Sequence, residues 1–302
     1  MRNIEILMST YNGARYVGRQ IDSILNQKNV DVHITIRDDG SQDDTVSVLR
    51  QYENEYPRQI KIYVGENIGH KRSFLMLLSL AIDADYYAFS DQDDIWEDNK
   101  LESALYLIEN KDTILYVSNL AIYNANLEIL DKTSFSQQHS SIYSAFTRHR
   151  YAGCTYVFDR NLMRIVSVFS KLNLPSNKMP SHDSLVCRCA YACGDVVVDE
   201  NSYIKHIRYV DSVTAGGNGF LKRLKLEWNG LKSASITSNT ALLILDNVHD
   251  YIRKENIAFL QEVAFYKRSL YNWFVLLTDS KMRCGIPVCD LKCKLEVLIR
   301  RY

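Results

Sequence analysis

Short apolar segments alternate with amphipathic segments over the first 120 residues of the chain. Apolar runs and one period-two alternation predict strands at Ile4–Ser9, Val32–Ile36, Ile60–Val64, Tyr86–Ser90 and Leu115–Ser118. Apolar positions at helical spacing predict helices over Val17–Leu25, Val46–Arg50, Phe74–Ile82 and Leu101–Ile108. Strands and helices that alternate in this way predict an α/β fold, in which a mostly parallel sheet carries helices on both faces.

Three polar loops follow predicted strands, at Ser9–Gly13, Asp38–Ser41 and Asp91–Asp94. Ligands of open α/β sheets bind outside the carboxyl ends of the strands, so we expect these loops to converge on one cleft. Ser41 and Asp44 have the spacing of a capping box, which predicts that a helix starts there.

The third loop places three carboxylates, Asp91, Asp93 and Asp94, within four positions. Like charges this close repel one another, which indicates a bound cation. Alternate residues at a strand end point the same way, so Asp91 and Asp93 can face one site, and a few oxygen ligands suit Mg²⁺ or Mn²⁺. A bare D-x-D motif more often marks solvated loop acids, but the strand-end position beside Asp38–Asp39 favours a metal site.

The first two loops each allow two interpretations. Asp38 and Asp39 are typical either of a turn with an acid at a helix entry or of a carboxylate that accepts a ligand's hydrogen bond, such as that of a pyrimidine N3–H. Tyr11 is either an ordinary surface or core ring or a platform on which a base stacks. The residues by themselves leave both pairs of alternatives open.

Six segments together resemble glycosyltransferase family 2, whose members have the GT-A fold. They are M-S-T-Y-N-G (Met8–Gly13), R-D-D-G-S-Q-D-D-T (Arg37–Thr45), E-N-I-G (Glu66–Gly69), S-D-Q-D-D-I-W (Ser90–Trp96), A-G-C-T-Y-V-F-D-R (Ala152–Arg160) and S-H-D-S-L (Ser181–Leu185). They follow the family's order over about residues 3–216 and are most similar to the bacterial rhamnosyltransferase-like branch. The resemblance implies a Rossmann-like GT-A enzyme of the hexosyltransferase class that inverts the anomeric centre in a single displacement.

The resemblance also implies a nucleotide-sugar site. Its residues would be Thr10, Tyr11, Asn12, Asp39, Asn67, Arg72, Asp91, Gly153 and Arg208. Thr10, Tyr11 and Asp39 would hold the base, and Gly153 would permit close approach of the donor, although a glycine at a strand entry has the same appearance.

The metal and base assignments rest on the same resemblance. Asp93 would be the principal ligand of Mg²⁺ or Mn²⁺, with Asp91 and His206, and Asp183 would be the catalytic base. The chemistry agrees, because a divalent ion stabilises the charge on a departing nucleoside diphosphate and a carboxylate takes the acceptor hydroxyl's proton. His182 is an alternative histidine, because the residue order around His206 departs from the family's Arg-x-His pair, and Asp183 is also a typical first-turn helix acid.

The character of the sequence changes after Gly216. We expect a catalytic domain over residues 1–216, with a nucleotide-sugar half (1–120) and an acceptor half (121–216), followed by a helical region, 217–302. This region has 14 Lys and Arg against 8 Asp and Glu. Phe220–Lys232 has the pattern of a basic amphipathic helix, and Ile257–Leu277 is apolar and rich in Tyr. Each segment either caps the core or docks on an anionic inner membrane face, and a dimer contact is a further alternative.

Composition narrows the function classes. With 36 Lys and Arg against 36 Asp and Glu, the chain does not have the charge of a nucleic-acid binder. The seven cysteines lack a disulfide framework or zinc spacing, the first residues are too short an apolar run for a signal peptide, and no run reaches the ~18–20 apolar residues of a membrane span. These features predict a cytoplasmic protein, peripheral on the inner face of the cell membrane if it meets a membrane at all.

The expected function is a metal-dependent transfer of a sugar from a nucleoside diphosphate sugar to a glycan in capsule or O-antigen assembly. The expected donor is dTDP-rhamnose, with a UDP-sugar as the alternative, and the acceptor an oligosaccharide or lipid-linked glycan. A sugar nucleotidyltransferase would need a Gly-rich basic first loop, which Ser9–Gly13 lacks. A degenerate transferase that serves as a membrane-associated scaffold is the remaining alternative, and the intact Asp39, Asp91, Asp93 and Asp183 argue against it.

Overall fold

A computed structural model of the chain describes residues 1–109, 112–134, 139–148, 151–175, 178–208 and 236–302. The strands are β1 (Arg2–Thr10), β2 (Val30–Asp38), β3 (Ile60–Val64), β4 (Tyr86–Ser90), β5 (Ile95–Trp96), β6 (Thr113–Asn124), β7 (Ile129–Lys132), β8 (Val157–Asp159) and β9 (Asp195–Arg208). The helices of the first part are α1 (Val17–Leu25), α2 (Thr45–Glu55), α3 (His70–Leu80), α4 (Lys100–Ile108), α5 (Ile142–Thr147) and α6 (Arg160–Ser167). They are followed by α7 (His182–Cys193), α8 (Ile236–Val248), α9 (Lys254–Phe265), α10 (Leu270–Thr278) and α11 (Pro287–Leu298).

The strands form one sheet in the order β3-β2-β1-β4-β8-β6-β9-β5, with β7 paired to β6. In its first half the strands are parallel, and Met8 on β1 lies beside Ile36 on β2 and Ser90 on β4. In the second half β8 runs antiparallel to both β4 and β6. The expected α/β fold with a mostly parallel sheet is confirmed, and the carboxyl ends of β1, β2 and β4 meet at one edge.

The central strand β1 is buried on both faces. Ile6, Leu7 and Met8 are all 0% exposed, as a parallel strand covered by helices on both sides requires. Helix α1 contributes its apolar face to the same core through Ile21 and its neighbours at helical spacing. Glu5 is the exception on β1, because its carboxyl group is also 0% exposed.

The start of α2 differs from the predicted capping box. Asp44 occupies the N-cap position of α2 and makes no side-chain capping hydrogen bond. Ser41 donates from both its hydroxyl and its backbone N–H to Asp38. The capping-box prediction was wrong because the Ser41 hydroxyl donates to Asp38 at the end of β2. The N–H of Thr45, the first residue of α2, donates to Asp43 and not to Ser41.

The chain packs into two compact units. The first unit is Met1–Phe135, Tyr151–Leu172 and Gly194–Ile207, and the second is Ser136–Arg150, Asn173–Cys193 and Arg208–Tyr302. The predicted domain boundary at residue 216 and the predicted basic helix Phe220–Lys232 lie outside the described residues and stay predictions. Within the described ranges, no helix has the length and apolar character that a bilayer crossing needs.

The second unit is helical. The buried guanidinium of Arg188 on α7 lies 4.9 Å from the ring centroid of Phe146, and the Tyr302 hydroxyl donates to the Phe146 carbonyl at 2.8 Å. The apolar run Ile257–Leu277 forms parts of two helices, α9 and α10, and the Ser269 side chain caps the second of them. Tyr302, which follows α11, and Arg188 of α7 therefore both contact Phe146 of α5.

Candidate active site

The three polar loops lie together at the carboxyl ends of β1, β2 and β4, as predicted. The Gln92 side chain accepts from the Tyr11 N–H at 2.9 Å and donates to the Tyr11 carbonyl at 3.0 Å. The Asn12 N–H donates to Ser41 Oγ at 2.9 Å, and Asn12 Oδ1 accepts from the Gln42 N–H at 2.8 Å. These bonds fix the first loop against both of the others and leave the Tyr11 side chain 45% exposed.

Thr10 belongs to the junction beneath these loops. Its hydroxyl donates to Asp38 Oδ2 at 3.0 Å, and its carbonyl accepts from the Asp39 N–H at 2.8 Å. Thr10 is 1% exposed and Asp38 is fully buried. The Thr10 side chain therefore joins the ends of two strands, whereas the neighbouring Tyr11 ring is open to a ligand.

Asp39 is held by its own chain on both carboxylate oxygens. Oδ1 accepts from Arg37 Nη1 at 2.5 Å and from the Ile68 N–H at 2.9 Å, and Oδ2 accepts from the Gly69 N–H at 2.9 Å. Arg37 also donates to the Glu66 carbonyl, and both side chains of the pair are about nine-tenths buried or more. Asp39 thereby anchors the loop before α3, and Oδ2 retains a lone pair for a ligand donor.

The turn after Asp39 brings two other predicted residues to the same edge. Gly40 has φ +79°, and a Cβ at this position would stand 2.9 Å from the backbone nitrogen of Asn67. This close approach requires glycine. Asn67 Oδ1 accepts from the Gly69 N–H at 3.2 Å, and Arg72 follows one turn later as a half-buried residue of α3.

A buried acidic cluster follows β4. Ligand atoms of Asp91, Asp94 and Cys154 all lie within 4.8 Å of one another. Asp94 is 0% exposed; its Oδ1 is 2.7 Å from Nδ1 of His206, and its buried Oδ2 has no hydrogen-bond partner among the described residues. Because β5 pairs with β9, the chain returns His206 to the loop that carries the acids.

The charges of this cluster act on one another. Burial, and then the charge of Asp94, raise the pKa of Asp93 to about 6. Burial lowers the pKa of His206, but the hydrogen bond to Asp94 and the charges of Asp94 and Asp91 outweigh it and raise the pKa. Burial raises the pKa of the Cys154 thiol well above its usual range, so Cys154 is a neutral neighbour of the carboxylates.

The donor set of this cluster fits a hard divalent cation. Asp91 and Asp94 offer carboxylate oxygens, and the unpartnered Asp94 Oδ2 is the kind of buried acceptor that a cation satisfies. Asp93, the predicted principal ligand, is half-buried and interacts electrostatically with both Asp94 and His206. The predicted ligands Asp91, Asp93 and His206 are therefore brought to one place, and their roles stay predictions.

Two members of the cluster were missed as site residues by sequence reasoning. Asp94 was visible as the third acid of the loop, but its partner His206 lies 112 positions later and only the pairing of β5 with β9 connects them. Cys154 follows the predicted Gly153, which opens a buried 3-10 helix, Gly153–Thr155. The sequence signal that could have identified Cys154 as a site residue was its position next to Gly153, the glycine predicted to permit close approach of the donor.

The remaining predicted residues lie in the second unit. Asp183 is in the first turn of α7, is half-buried, and accepts the Ser184 N–H at 2.7 Å. His182, the alternative histidine, is 4% exposed at the start of the same helix. Arg208 is exposed at the end of β9. The base and Arg208 assignments stay predictions.

Comparisons with known proteins bear on this site. A family model described as "Glycosyl transferase family 2" matches residues 5–172. The dTDP-rhamnosyl transferase RfbG of Shigella flexneri is 32% identical over 163 residues, which cover 52% of this chain and 55% of that protein. The chain therefore spans about half the length of this curated relative.

Solved structures share the fold. S. aureus TarS 1–349 in complex with UDP-GlcNAc superposes with a TM-score of 0.59 at 14% identity, over 93% of this chain and 77% of that chain. The mannosyltransferase PcManGT from Pyrobaculum calidifontis, in complex with GDP-Man and Mn²⁺, superposes with a TM-score of 0.54 at 13% identity, over 98% of this chain and 80% of that chain. At these identities the likeness concerns the fold.

Proposed function

Because the chain belongs to glycosyltransferase family 2, we propose that it transfers a sugar, with inversion, from a nucleoside diphosphate sugar to a glycan hydroxyl in bacterial polysaccharide assembly. The observation that carries this proposal is the cluster of Asp91, Asp94 and His206 beside the three polar loops. A cleft with one exposed aromatic ring and a cation site at its side suits a base and a diphosphate.

On the base side, Tyr11 and Asp39 have different tasks. The exposed Tyr11 ring would stack on the base, because its backbone is fixed by Gln92 and its ring is open. Asp39 would accept the base N–H on Oδ2 while Arg37 holds its other oxygen. Thr10 and Asn12 would act mainly by keeping the loops in place.

On the diphosphate side, Asp91, Asp93 and His206 would hold Mg²⁺ or Mn²⁺, with Asp94 Oδ2 as a further acceptor, while Asp94 Oδ1 would orient His206 through its Nδ1. The ion, when bound, would stabilise the charge that develops on the leaving nucleoside diphosphate. Asp183, a half-buried acid in the first turn of α7, would take the proton of the acceptor hydroxyl.

The donor we propose is dTDP-rhamnose, which the similarity to the dTDP-rhamnosyl transferase RfbG supports, with a UDP-sugar as the alternative. The test is calorimetric binding of dTDP, UDP and GDP to the full chain, each with and without Mn²⁺. We expect tight binding of dTDP only with Mn²⁺, and its loss in Asp93→Asn but not in the matched loop variant Asp44→Asn. If UDP bound and dTDP did not, the proposed donor would be a UDP-sugar in place of dTDP-rhamnose. If no nucleotide bound, the result would favour the degenerate transferase that serves as a scaffold.

We also propose that the acceptor is a lipid-linked glycan and that the second unit docks on an anionic membrane face. Helix α11 exposes Val288, Leu291 and Leu295, at 78%, 62% and 43%, on one face. Residues 267–301 contain 8 Lys and Arg against 3 Asp and Glu, which suits an anionic surface.

Co-sedimentation with phosphatidylcholine vesicles, with and without phosphatidylglycerol, tests this docking. We expect binding only to the anionic vesicles, and its loss when Leu291 and Leu295 are both changed to Asn. The matched control changes Ile129 and Leu130, which are 53% and 57% exposed on β7, to Asn. Dimerisation that the Leu291 and Leu295 changes abolish would point to a second copy of the chain in place of the membrane.

A further inference from the structure

A fully buried lysine, Lys100, interacts electrostatically with the acidic cluster. Lys100, the first residue of α4, is 0% exposed, and its Nζ has no hydrogen-bond partner among the described residues. Nζ lies 3.6 Å from the ring centroid of Trp96. A buried ammonium is costly unless other charges compensate it, and one cation–π contact supplies only part of that compensation.

The charges that face Lys100 are those of the cluster. Its electrostatic partners are Cys154 and Asp94, and the Cys154 thiol is neutral because burial raises its pKa. Asp94 is thus the negative partner, and its buried Oδ2, like Nζ of Lys100, has no hydrogen-bond partner among the described residues. Burial nevertheless lowers the pKa of Lys100 to about 7.

We infer that Lys100 is a positioning residue, an internal counter-cation that holds the acidic cluster together and competes electrostatically with the divalent ion. This inference rests on the proposed metal site. In the metal-free protein the ammonium would offset the carboxylates of Asp91, Asp93 and Asp94, which otherwise repel one another. When the ion is bound, the same ammonium would repel it.

The direction in which metal affinity changes when the Lys100 charge is removed distinguishes this role from a purely structural one. A lysine that only supported the fold would, when removed, leave metal affinity unchanged or weaken it. Removal of a competing cation that interacts electrostatically with the site tightens binding, by on the order of tenfold at protein-like dielectric. In the variants without the Lys100 charge, His206 Nδ1 keeps its contact with Asp94 Oδ1, so this side chain stays oriented in the cluster.

The test measures Mn²⁺ affinity at pH 5.5, where the buried Lys100 is protonated, from the electron paramagnetic resonance signal of unbound Mn²⁺. Lys100→Met removes the charge at nearly constant volume, Lys100→Gln is the second neutral variant should the first fail to fold, and Lys100→Arg restores the charge. Lys61→Met, which removes one exposed lysine of β3, is the matched control. Circular dichroism establishes that each variant is folded.

We expect the neutral variants to bind Mn²⁺ about tenfold more tightly than the wild type, and the Arg and Lys61 variants to lie within about threefold of it. Equal or weaker binding in a folded neutral variant would overturn the counter-cation role while the metal site stands. An absence of Mn²⁺ binding in the wild type would refute the proposed metal site itself, so the two failures are distinguishable.

Discussion

Replacement of Asp39 by Asn tests whether this residue is part of the scaffold as well as of the nucleotide site. Asp39 holds a buried ion pair with Arg37 and accepts two backbone N–H groups, those of Ile68 and Gly69. Asn cannot neutralise Arg37, whose side chain is only 5% exposed. The variant therefore leaves an uncompensated charge in the interior.

The magnitude follows from the burial of the pair. Breaking a buried ion pair by removing one partner costs about 3–5 kcal/mol, whereas a residue that serves only to contact a ligand costs little when changed. A loss of this size is a large fraction of the roughly 5–15 kcal/mol by which domains are stable. We expect Asp39→Asn to lower the free energy of unfolding by about 3–5 kcal/mol.

Urea denaturation followed by circular dichroism, without nucleotide, measures this loss. Asp44→Asn is the control, since it makes the same chemical change at an exposed N-cap that forms no side-chain capping bond, and we expect a change within about 0.5 kcal/mol. In the double variant with Arg37→Met, part of the stability should return, because no unpaired charge is left. A midpoint for Asp39→Asn equal to that of the wild type would refute the scaffold role.

Three other predictions concern the groups around the site. Burial raises the pKa of Glu5 to about 7, so the free energy of unfolding falls as the pH rises from about 4.5 through 7. Glu5→Gln should remove this fall and raise the free energy of unfolding at pH 8 by about 3 kcal/mol, which urea midpoints at pH 5 and pH 8 measure. Gly40→Ala should cost about 1–3 kcal/mol more than Gly69→Ala in the same assay, because both residues have positive φ but only at Gly40 would the added Cβ press against backbone atoms. Asp94→Asn should lower the pKa of His206 in the metal-free protein, which a proton NMR titration of its ring measures, since burial then acts without the opposing charge of Asp94; an unchanged titration would refute the pairing.

The strands could be read from the sequence because each carries its own apolar pattern. Ile60–Val64 and Tyr86–Ser90 were predicted at their observed bounds for this reason. The start of α2 was mispredicted because a capping box is a local sequence pattern. The Ser41 hydroxyl instead donates to Asp38, which lies at the end of the preceding strand. Hydrogen-bond competition of this kind depends on where a loop folds, which spacing does not encode.

The site was predictable where neighbours in sequence are also neighbours in space. The loop that contains Asp91 and Asp93 was identified in this way, and so was its convergence with the loop of Tyr11. The partnership of Asp94 with His206 depends on the pairing of β5 with β9. A single sequence contains no local sign of such a contact.

The pairing of β5 with β9 also has a consequence for the order in which the protein is assembled. The two residues of β5 pair with Ile204 and Lys205, more than a hundred positions later along the chain. Contacts that close so long a loop form late in folding, because the entropy of closure is lost before the contact stabilises anything. A nascent chain would therefore complete its parallel half-sheet and its acidic loop while the histidine is still unsynthesised. Competence to hold the proposed cation would then arise in the last stage of folding of the first unit, so its binding would report that this unit has completed folding.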